Sequence, residues 1–422
     1  MTATALSFLS SMDLMSLILL FWYTTLIEIP RYTIGGVVAA AAGLWPRRVG
    51  PEDTNFTVSV VLVGHNEVRA LATCVEGLAE QTIACDPGRM QVIVVDDGST
   101  DGMSEIARDL QRQGKIDDVL RVRERGGKSA GVNLALSACC GEIVIIADID
   151  TTFDRDAFAN LLVRFNDPRI GAVSGNLGVR NAFATLITRC QAIEYGIGIS
   201  LGRRMADALG VLTIVSGAFG GFRRSAIEGV GRQDVEVGED ADLTMKLRRA
   251  GWRIGFAQEA RALTDVPETV PQLIAQRLRW DRGLITIWLR KYRGNLRPGR
   301  STFRIADVAA LCDVIAFQVL LALTFPAYLL WLWYYFDTFA VAIIGATLAG
   351  YFLLDLAAFA SASIAGVRTP LRLILYLPLY TVLSMTVMRI VRLIAIFQEL
   401  VFRSSYRDPY VPRRVMQQVE VV

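Results

Sequence analysis

Between residues 57 and 175, short apolar runs alternate with stretches of helical pattern. Three of the runs are rich in β-branched residues and are followed by polar or acidic residues: Val58–Val63, Val92–Val95 and Ile143–Ala147. The helical stretches begin near Glu67, Asp101 and Lys128. Strands that alternate with helices are typical of a parallel sheet. The pattern therefore predicts an α/β domain with helices on both faces of its sheet.

Longer apolar runs fill the C-terminal third of the chain: Leu311–Phe336, Phe339–Ile364 and Leu371–Phe397. The first two have the roughly 20 residues that a membrane-spanning helix needs. The third contains Pro378 and Arg389, which leaves open whether it spans the membrane or packs partly in the interface.

Two further segments are predicted to contact the membrane. Residues 269–304 form a basic amphipathic pattern, which is typical of a helix that lies in the interface. Near the N-terminus, the run Met15–Ile29 and a weaker run to Trp45 are each too short to span alone. Arginines follow them (Arg31, Arg47 and Arg48), so the positive-inside rule predicts that the next domain is cytoplasmic.

Charge is distributed unevenly along the chain. Charged residues make up 65 of the 254 residues in 51–304 but 9 of the 96 in 305–400. We therefore expect a multi-pass protein of the cell inner (plasma) membrane. Its parts would be an N-terminal membrane segment (1–50), a cytosolic domain (51–268), interfacial amphipathic helices (269–304), transmembrane helices (305–400) and a tail (401–422).

Composition excludes several classes of function. A net charge of +3 without a dense Lys/Arg stripe argues against nucleic acid as a partner. Six cysteines without a CxxC pair and a single histidine, His65, argue against a zinc site and favour reduced cytosolic thiols.

Acidic residues follow two of the predicted strands, where ligands of such sheets bind. Asp96-Asp97-Gly98 could contact a base or ribose, or could form an Asx-turn and helix cap. Asp148 and Asp150 are expected on the same side by strand alternation, where Mg²⁺ or Mn²⁺ would offset their repulsion. The alternative for this pair is a solvated acidic turn.

Three more motifs carry polar groups, each with a structural alternative. Gly126-Gly127-Lys128 is not a Walker A loop but could hold an anion at a helix start; a solvated surface lysine is the alternative. The acids of Gly238-Glu239-Asp240 could be ordinary helix N-terminal charges. Gln276, Arg279 and Trp280 share one helix face, which equally suits a snorkelling arginine beside an interfacial tryptophan.

The order of these motifs, followed by apolar spans, resembles the processive family 2 glycosyltransferases. These include the cellulose, chitin, hyaluronan and poly-N-acetylglucosamine synthases. The resemblance covers roughly residues 55–300, and three stretches carry it best: Val215–Arg224, Gly238–Leu247 and Pro267–Gly283. It implies a glycosyltransferase A-type domain with a mixed, mainly parallel sheet.

The resemblance also implies roles for individual residues. Asp240 would be the catalytic base; Asp150 and Asp148 would hold Mg²⁺ or Mn²⁺. The substrate-binding residues would be Glu67, Asp97, Lys128, Asp148, Glu239, Gln276, Arg279 and Trp280. His65 stands where the family more often has tyrosine, and is expected to be a pocket-wall residue without a catalytic role.

The implied activity is inverting transfer from a UDP-sugar, with N-acetylglucosamine favoured, to a growing polysaccharide that is passed across the lipid membrane. The resemblance also allows an accessory export subunit. Two alternatives stay open: a non-processive enzyme that adds one sugar to a membrane lipid, and a membrane scaffold or channel whose domain binds nucleotide without chemistry.

Overall fold

The structure, a computed structural model, describes residues 10–22, 24–25, 29, 55–292, 305–313, 315, 319–407, 412 and 414–415. Several sequence predictions therefore lie outside the described residues: the apolar run up to Trp45, the arginines Arg31, Arg47 and Arg48, and the end of the amphipathic segment at 293–304. The proposed division of the chain into five parts stays a prediction.

Eight strands form one sheet. They are β1 (Val58–Gly64), β2 (Met90–Asp97), β3 (Asp118–Val122), β4 (Ile143–Ala147), β5 (Thr152–Phe153), β6 (Ile170–Val179), β7 (Phe219–Arg223) and β8 (Arg253–Thr264). Their order is β3-β2-β1-β4-β7-β6-β8-β5. The half built from β1 to β4 is parallel throughout. The other half is mixed, because β7 runs antiparallel to both β4 and β6, and β5 runs antiparallel to β8.

The helices up to residue 249 cover both faces of the sheet. After a short N-terminal helix, α1 (Leu14–Leu20), they are α2 (Val68–Ala79), α3 (Met103–Arg112), α4 (Lys128–Ala135), α5 (Ala157–Leu162), α6 (Leu186–Glu194), α7 (Gly202–Leu209), α8 (Arg224–Gly229) and α9 (Glu239–Arg249). Short 3₁₀ turns lie at Thr82–Cys85 and Val163–Asn166, and a π-helix, Tyr195–Leu201, joins α6 to α7.

Alternate residues of β1 point into two different cores. Val60 and Leu62 pack on one face with α2 and α3, whereas Val61 packs on the other face with α4 and α9. This is the period-2 alternation expected of a strand buried on both faces. The predicted layering, with helices on both faces of a mixed, mainly parallel sheet, is confirmed.

The amphipathic segment forms α10 (Val270–Ile285), which continues as a π-helix, Thr286–Lys291. A capping box between Thr269 and Gln272 starts the helix, together with a proline in its first turn. Ile285 packs against Ile396 of the last long helix.

The apolar C-terminal region is helical. Its α-helices are α11 (Ile305–Asp313), α12 (Leu321–Phe336), α13 (Phe339–Ile364), α14 (Leu377–Leu383) and α15 (Arg389–Phe402). 3₁₀ and π segments, Leu371–Tyr376 and Ser384–Met388, link the last two into one run, and a 3₁₀ turn follows at Ser404–Arg407.

Among the described residues, two helices are long and apolar enough to cross a membrane, by length and composition alone: Phe339–Ile364 and Leu371–Phe402. Only 22% and 28% of the residues in their most apolar windows are buried inside the protein. The third apolar run, for which the sequence left membrane spanning open, thus belongs to one of these two candidate spans. The described part of the first run, Leu321–Phe336, is shorter.

Candidate active site

A cavity of about 910 Å³ lies beyond the carboxyl ends of β1, β2 and β4. His65, which directly follows β1, is part of its wall, as the sequence analysis expected. All the residues that the sequence analysis placed in the site line this cavity: Glu67, Asp97, Lys128, Asp148, Asp150, Glu239, Asp240, Gln276, Arg279 and Trp280. The fold therefore brings together residues up to 213 positions apart, and their individual roles remain predictions.

The two aspartates at the end of β2 have different environments. Asp96 is fully buried, accepts a hydrogen bond from the backbone N–H of Ser99 at 2.8 Å, and so forms the turn that the Asx-turn alternative described. Asp97 instead faces the cavity, where its carboxylate accepts the backbone N–H groups of Gly126 (2.6 Å) and Gly127 (2.8 Å). The Asx-turn interpretation thus applies to Asp96, and the ligand-contact interpretation applies to its neighbour Asp97.

The loops after β2 and β3 approach closely at Gly98. Its φ of 70° is left-handed, and a Cβ at this position would lie 2.9 Å from the backbone nitrogen of Arg125. Only glycine meets both conditions without strain. On the other side, Nδ1 of His65 lies 2.8 Å from the carbonyl oxygen of Asp97. The end of β2 is therefore held firmly between the two neighbouring loops.

Lys128 is the first residue of α4 and points into the cavity. Its ammonium group donates hydrogen bonds to the carboxylate of Asp148 and to the carbonyl oxygen of Gly217, the latter at 3.0 Å. The alternative of a solvated surface lysine is wrong, because the side chain is 11% exposed. The site therefore holds a cation at a helix start, as an anion-binding site requires.

Asp148 and Asp150 lie in the turn that follows β4, since the strand itself ends at Ala147. Strand alternation therefore does not apply to them, although both reach the cavity. Burial raises the pKa of Asp150, and the Asp148 charge adds to the increase. Burial, followed by the charges of Asp150 and Asp148, raises the pKa of Glu67 to about 7. Three carboxylates thus lie close together, and the positive charge of Lys128 offsets their repulsion only in part.

This donor set fits a hard divalent cation that is shared with a ligand. Oxygen ligands suit Mg²⁺ and Mn²⁺, which commonly take one or two carboxylates and complete their shell with water and substrate phosphate. In the described part of the chain, no group of three or more His, Cys, Asp or Glu side chains could hold a metal alone. Asp148 and Asp150 are the residues that would supply the protein ligands.

The Gly238-Glu239-Asp240 motif also lines the cavity and starts α9. Gly238 has a φ of 90° and precedes the helix, whose first turn carries both acids. A Cβ at Gly217 would lie 3.1 Å from Nζ of Lys128, and 3.7 Å from both Cβ of Asp240 and Oε1 of Glu239. Burial and the neighbouring Asp240 carboxylate raise the pKa of Glu239. The Gly126-Gly127-Lys128 motif and the Gly238-Glu239-Asp240 motif therefore meet at Gly217.

The third motif lies on α10. Gln276, Arg279 and Trp280 line the cavity, and the Trp280 side chain is 41% exposed. Oε1 of Gln276 is buried without a hydrogen-bond partner among the described residues, which leaves an acceptor for a ligand. Behind the indole, the guanidinium of Arg277 lies 4.2 Å from the ring centroid and donates to Glu194 at 2.6 Å.

Among the cavity-wall residues that the sequence analysis missed are Tyr195 and Arg203. Tyr195 begins the π-helix that follows α6, and Arg203 lies in the first turn of α7. No local motif marks either residue. The one available signal is compositional, because an arginine pair at 203–204 directly follows a largely apolar run from Tyr195 to Gly202.

Comparison with known proteins agrees with this arrangement. Residues 59–231 match the family model described as Glycosyl transferase family 2. The chain is 27% identical over 266 residues to the poly-beta-1,6-N-acetyl-D-glucosamine synthase of Staphylococcus aureus (strain COL). This alignment covers 63% of each of the two proteins. The chain is also 27% identical over 276 residues to the synthase of Staphylococcus epidermidis, 65% of whose length is covered. The match thus spans less than two thirds of either relative.

A solved structure shares the fold over nearly the whole chain. This is a mannosyltransferase from Pyrobaculum calidifontis in complex with GDP-Man and Mn²⁺, with a TM-score of 0.63 and 20% identity, and it covers 90% of this chain and 98% of the other. The glycosyltransferase A-type fold predicted from the resemblance is thereby confirmed. Residues 59–231 thus match a family 2 glycosyltransferase model, and the chain is similar to poly-beta-1,6-N-acetyl-D-glucosamine synthases over about 63% of its length.

Proposed function

We propose that the protein is a membrane-bound, inverting and processive glycosyltransferase that uses UDP-N-acetylglucosamine to elongate a β-linked polysaccharide. The observation that carries the proposal is the convergence of three cationic and acidic motifs, from α4, α9 and α10, on one cavity beside Asp148 and Asp150. The similarity to poly-beta-1,6-N-acetyl-D-glucosamine synthases supports the choice of sugar.

The donor binds along the ends of the parallel strands. Asp97 contacts the uracil while it holds the Gly126-Gly127 turn, and Lys128 contacts the diphosphate. Asp148 and Asp150 would hold Mg²⁺ or Mn²⁺, in keeping with the Mn²⁺ of the mannosyltransferase complex. When bound, the cation supplies a Lewis acid for the diphosphate oxygens. Glu67 and Glu239 complete the polar wall around the sugar nucleotide.

The reaction is a single displacement. Asp240 accepts the proton of the acceptor hydroxyl as that oxygen bonds to the anomeric carbon and the bond from this carbon to UDP breaks. Lys128 and Arg279 stabilise the negative charge that develops on the departing diphosphate. Attack from the face opposite the leaving group inverts the anomeric centre.

The acceptor approaches from the membrane side. Gln276 and Trp280 bind its terminal sugar, with an indole ring that is accessible in the cavity. The apolar helices Phe339–Ile364 and Leu371–Phe402 place the domain at the membrane and form a route for the product, with the catalytic domain in the cytoplasm. An accessory export subunit is compatible with this arrangement.

The test is donor turnover by the membrane-embedded protein. Radiolabelled UDP-sugars are supplied one at a time with Mg²⁺ or Mn²⁺, and product size is followed over time. We expect label from UDP-N-acetylglucosamine in a long polymer that a β-N-acetylglucosaminidase degrades. A product that never exceeds one sugar on an extractable lipid would refute processive synthesis, and a strong preference for another donor would refute the proposed sugar.

A further inference from the structure

One wall of the cavity belongs to no recognised motif. It is formed by the π-helix Tyr195–Leu201 and the start of α7, and the residues that line the cavity are Tyr195, Gly198, Ile199, Gly202, Arg203 and Ala206. π-Helical segments are rare and are frequently found at functional sites. This wall therefore needs an explanation beyond the donor-binding residues.

Two glycines keep this wall open. Among the described residues, a Cβ at Gly198 would meet no heavy atom within 4 Å, and one at Gly202 would meet only a carbonyl oxygen of Ile197 at 3.8 Å. Gly196 in the same segment differs, because its Cβ would clash with Thr369 at 2.4 Å. A helical glycine costs about 0.5–1 kcal/mol relative to alanine. No packing contact with a described residue explains that cost at Gly198 and Gly202, whereas close approach of a ligand does.

Arg203 adds hydrogen-bond donors to the same wall. Its Nη1 donates to Oγ of Ser174 at 3.1 Å, and no carboxylate of the described residues lies within ion-pair distance of its guanidinium. A guanidinium has five N–H donors, so several of them are available to a molecule in the cavity. A largely buried arginine without an acidic partner suits ligand oxygens.

The wall borders the proposed base. Oγ of Ser174 also lies 3.4 Å from the backbone nitrogen of Ser216, which precedes Gly217. A Cβ at Gly217 would lie 3.7 Å from Cβ of Asp240. The charge of Asp240 also acts on Arg203, where it opposes the lowering of the arginine pKa by burial. A molecule on this wall would thus lie beside the group that accepts the acceptor proton.

We propose that this wall is a binding subsite for the terminal sugars of the polysaccharide acceptor. The apolar face of a sugar ring packs against the open backbone at Gly198 and Gly202, and Arg203 donates hydrogen bonds to hydroxyl or acetamide oxygens. The inference rests on the proposed function and adds to it a second acceptor-binding surface, distinct from Trp280.

The test is to fill the subsite without disturbing the fold. In Gly198→Leu the new Cβ meets no heavy atom of the described residues within 4 Å. Gly77→Leu is the matched control, since Gly77 is also helical and open but lies on α2 away from the cavity. Two rates are measured for each variant: UDP release without acceptor, and transfer to an added β-linked N-acetylglucosamine oligosaccharide.

We expect Gly198→Leu to raise KM for the oligosaccharide about tenfold or more while KM for the UDP-sugar stays the same. Gly77→Leu should change neither. Arg203→Met should weaken the acceptor in the same way, with partial recovery in Arg203→Lys.

Wild-type KM for the oligosaccharide in Gly198→Leu would overturn the subsite, and the UDP-release rate would show that the proposed function still stands. Loss of transfer to a membrane lipid, with oligosaccharide transfer unchanged, would also overturn it. Absence of UDP-sugar turnover in the wild-type protein would overturn the proposed function and the subsite together.

Discussion

The ammonium group of Lys128 forms an ion pair with the carboxylate of Asp148 inside the cavity. The two side chains are 11% and 36% exposed, so the pair is screened less than one on the open surface. Because Nζ also bonds to the carbonyl oxygen of Gly217, the lysine is fixed before any ligand binds. A preformed cation at this position lowers the cost of ordering a diphosphate site.

Lys128→Met should therefore weaken donor binding. We expect KM for UDP-N-acetylglucosamine to rise about 10–100-fold, since a hydrogen bond to a charged group contributes roughly 1.5–3 kcal/mol. Initial rates at saturating metal ion measure the effect. Lys115→Met is the control, because Lys115 forms a more exposed pair with Glu76 away from the cavity. An unchanged donor KM in Lys128→Met would contradict the assignment.

Asp240→Asn tests the proposed base. The amide is nearly isosteric but cannot accept the acceptor proton, so kcat should fall by about 10²–10⁴. Donor affinity should stay close to that of the wild-type protein, because Asp240 is not assigned to the nucleotide. Calorimetric titration with UDP and a radiolabel transfer assay measure the two quantities separately. Equal transfer rates in the variant and the wild-type protein would eliminate Asp240 as the base.

Asp242, on the same helix, should behave in the opposite way. It is fully buried, does not line the cavity, and accepts hydrogen bonds from the Tyr292 hydroxyl and the Lys291 ammonium group, both at 2.8 Å. Asp242→Asn should lower the free energy of unfolding by about 1–3 kcal/mol with little change in kcat per folded molecule. Thermal unfolding in detergent, compared with that of Asp240→Asn, distinguishes the two roles. A lower kcat in Asp242→Asn without a loss of stability would contradict the structural role of Asp242.

Much of the site could be predicted because its residues follow local signals. Asp97 closely follows a β-branched run, Lys128 follows two glycines, and Asp240 lies in the first turn of a helix. Parallel strands place their carboxyl ends at one edge, which explains why residues from β2 and β4 meet. The prediction failed in detail where the strand ended earlier than assumed, since Asp148 lies in the turn after β4 and not in the strand.

The rest had no local signal. Strand β7 (Phe219–Arg223) is inserted antiparallel between β4 and β6, and this pairing joins segments far apart in sequence. Arg203 and Tyr195 line the cavity because α6 and the π-helix pack near β6, a tertiary contact that no periodicity encodes. The local pattern alone did not separate Asp96 from Asp97; the resemblance favoured Asp97, whose carboxylate accepts the backbone N–H groups of Gly126 and Gly127.

The Glu67 carboxyl predicts how stability depends on pH. Its pKa is raised to about 7 by burial and by the nearby Asp150 and Asp148; in an unfolded chain it is about 4.3. Between these values the folded protein binds more protons than the unfolded one. The free energy of unfolding therefore falls as pH rises through that window, and this contribution levels off above it. The raised pKa of Asp150 acts in the same direction.

In metal-free buffer, the melting temperature of the wild-type protein should decrease from about pH 5 to about pH 8, and Glu67→Gln should flatten this decrease because the amide does not titrate. The control is Glu80→Gln, an exposed acid at the end of the same helix. It should keep the wild-type slope. Added Mg²⁺ or Mn²⁺ should stabilise the wild-type protein most at the upper end of the range, where the carboxylates are ionised. Equal slopes in Glu67→Gln and the wild-type protein would show that Glu67 does not titrate in this window.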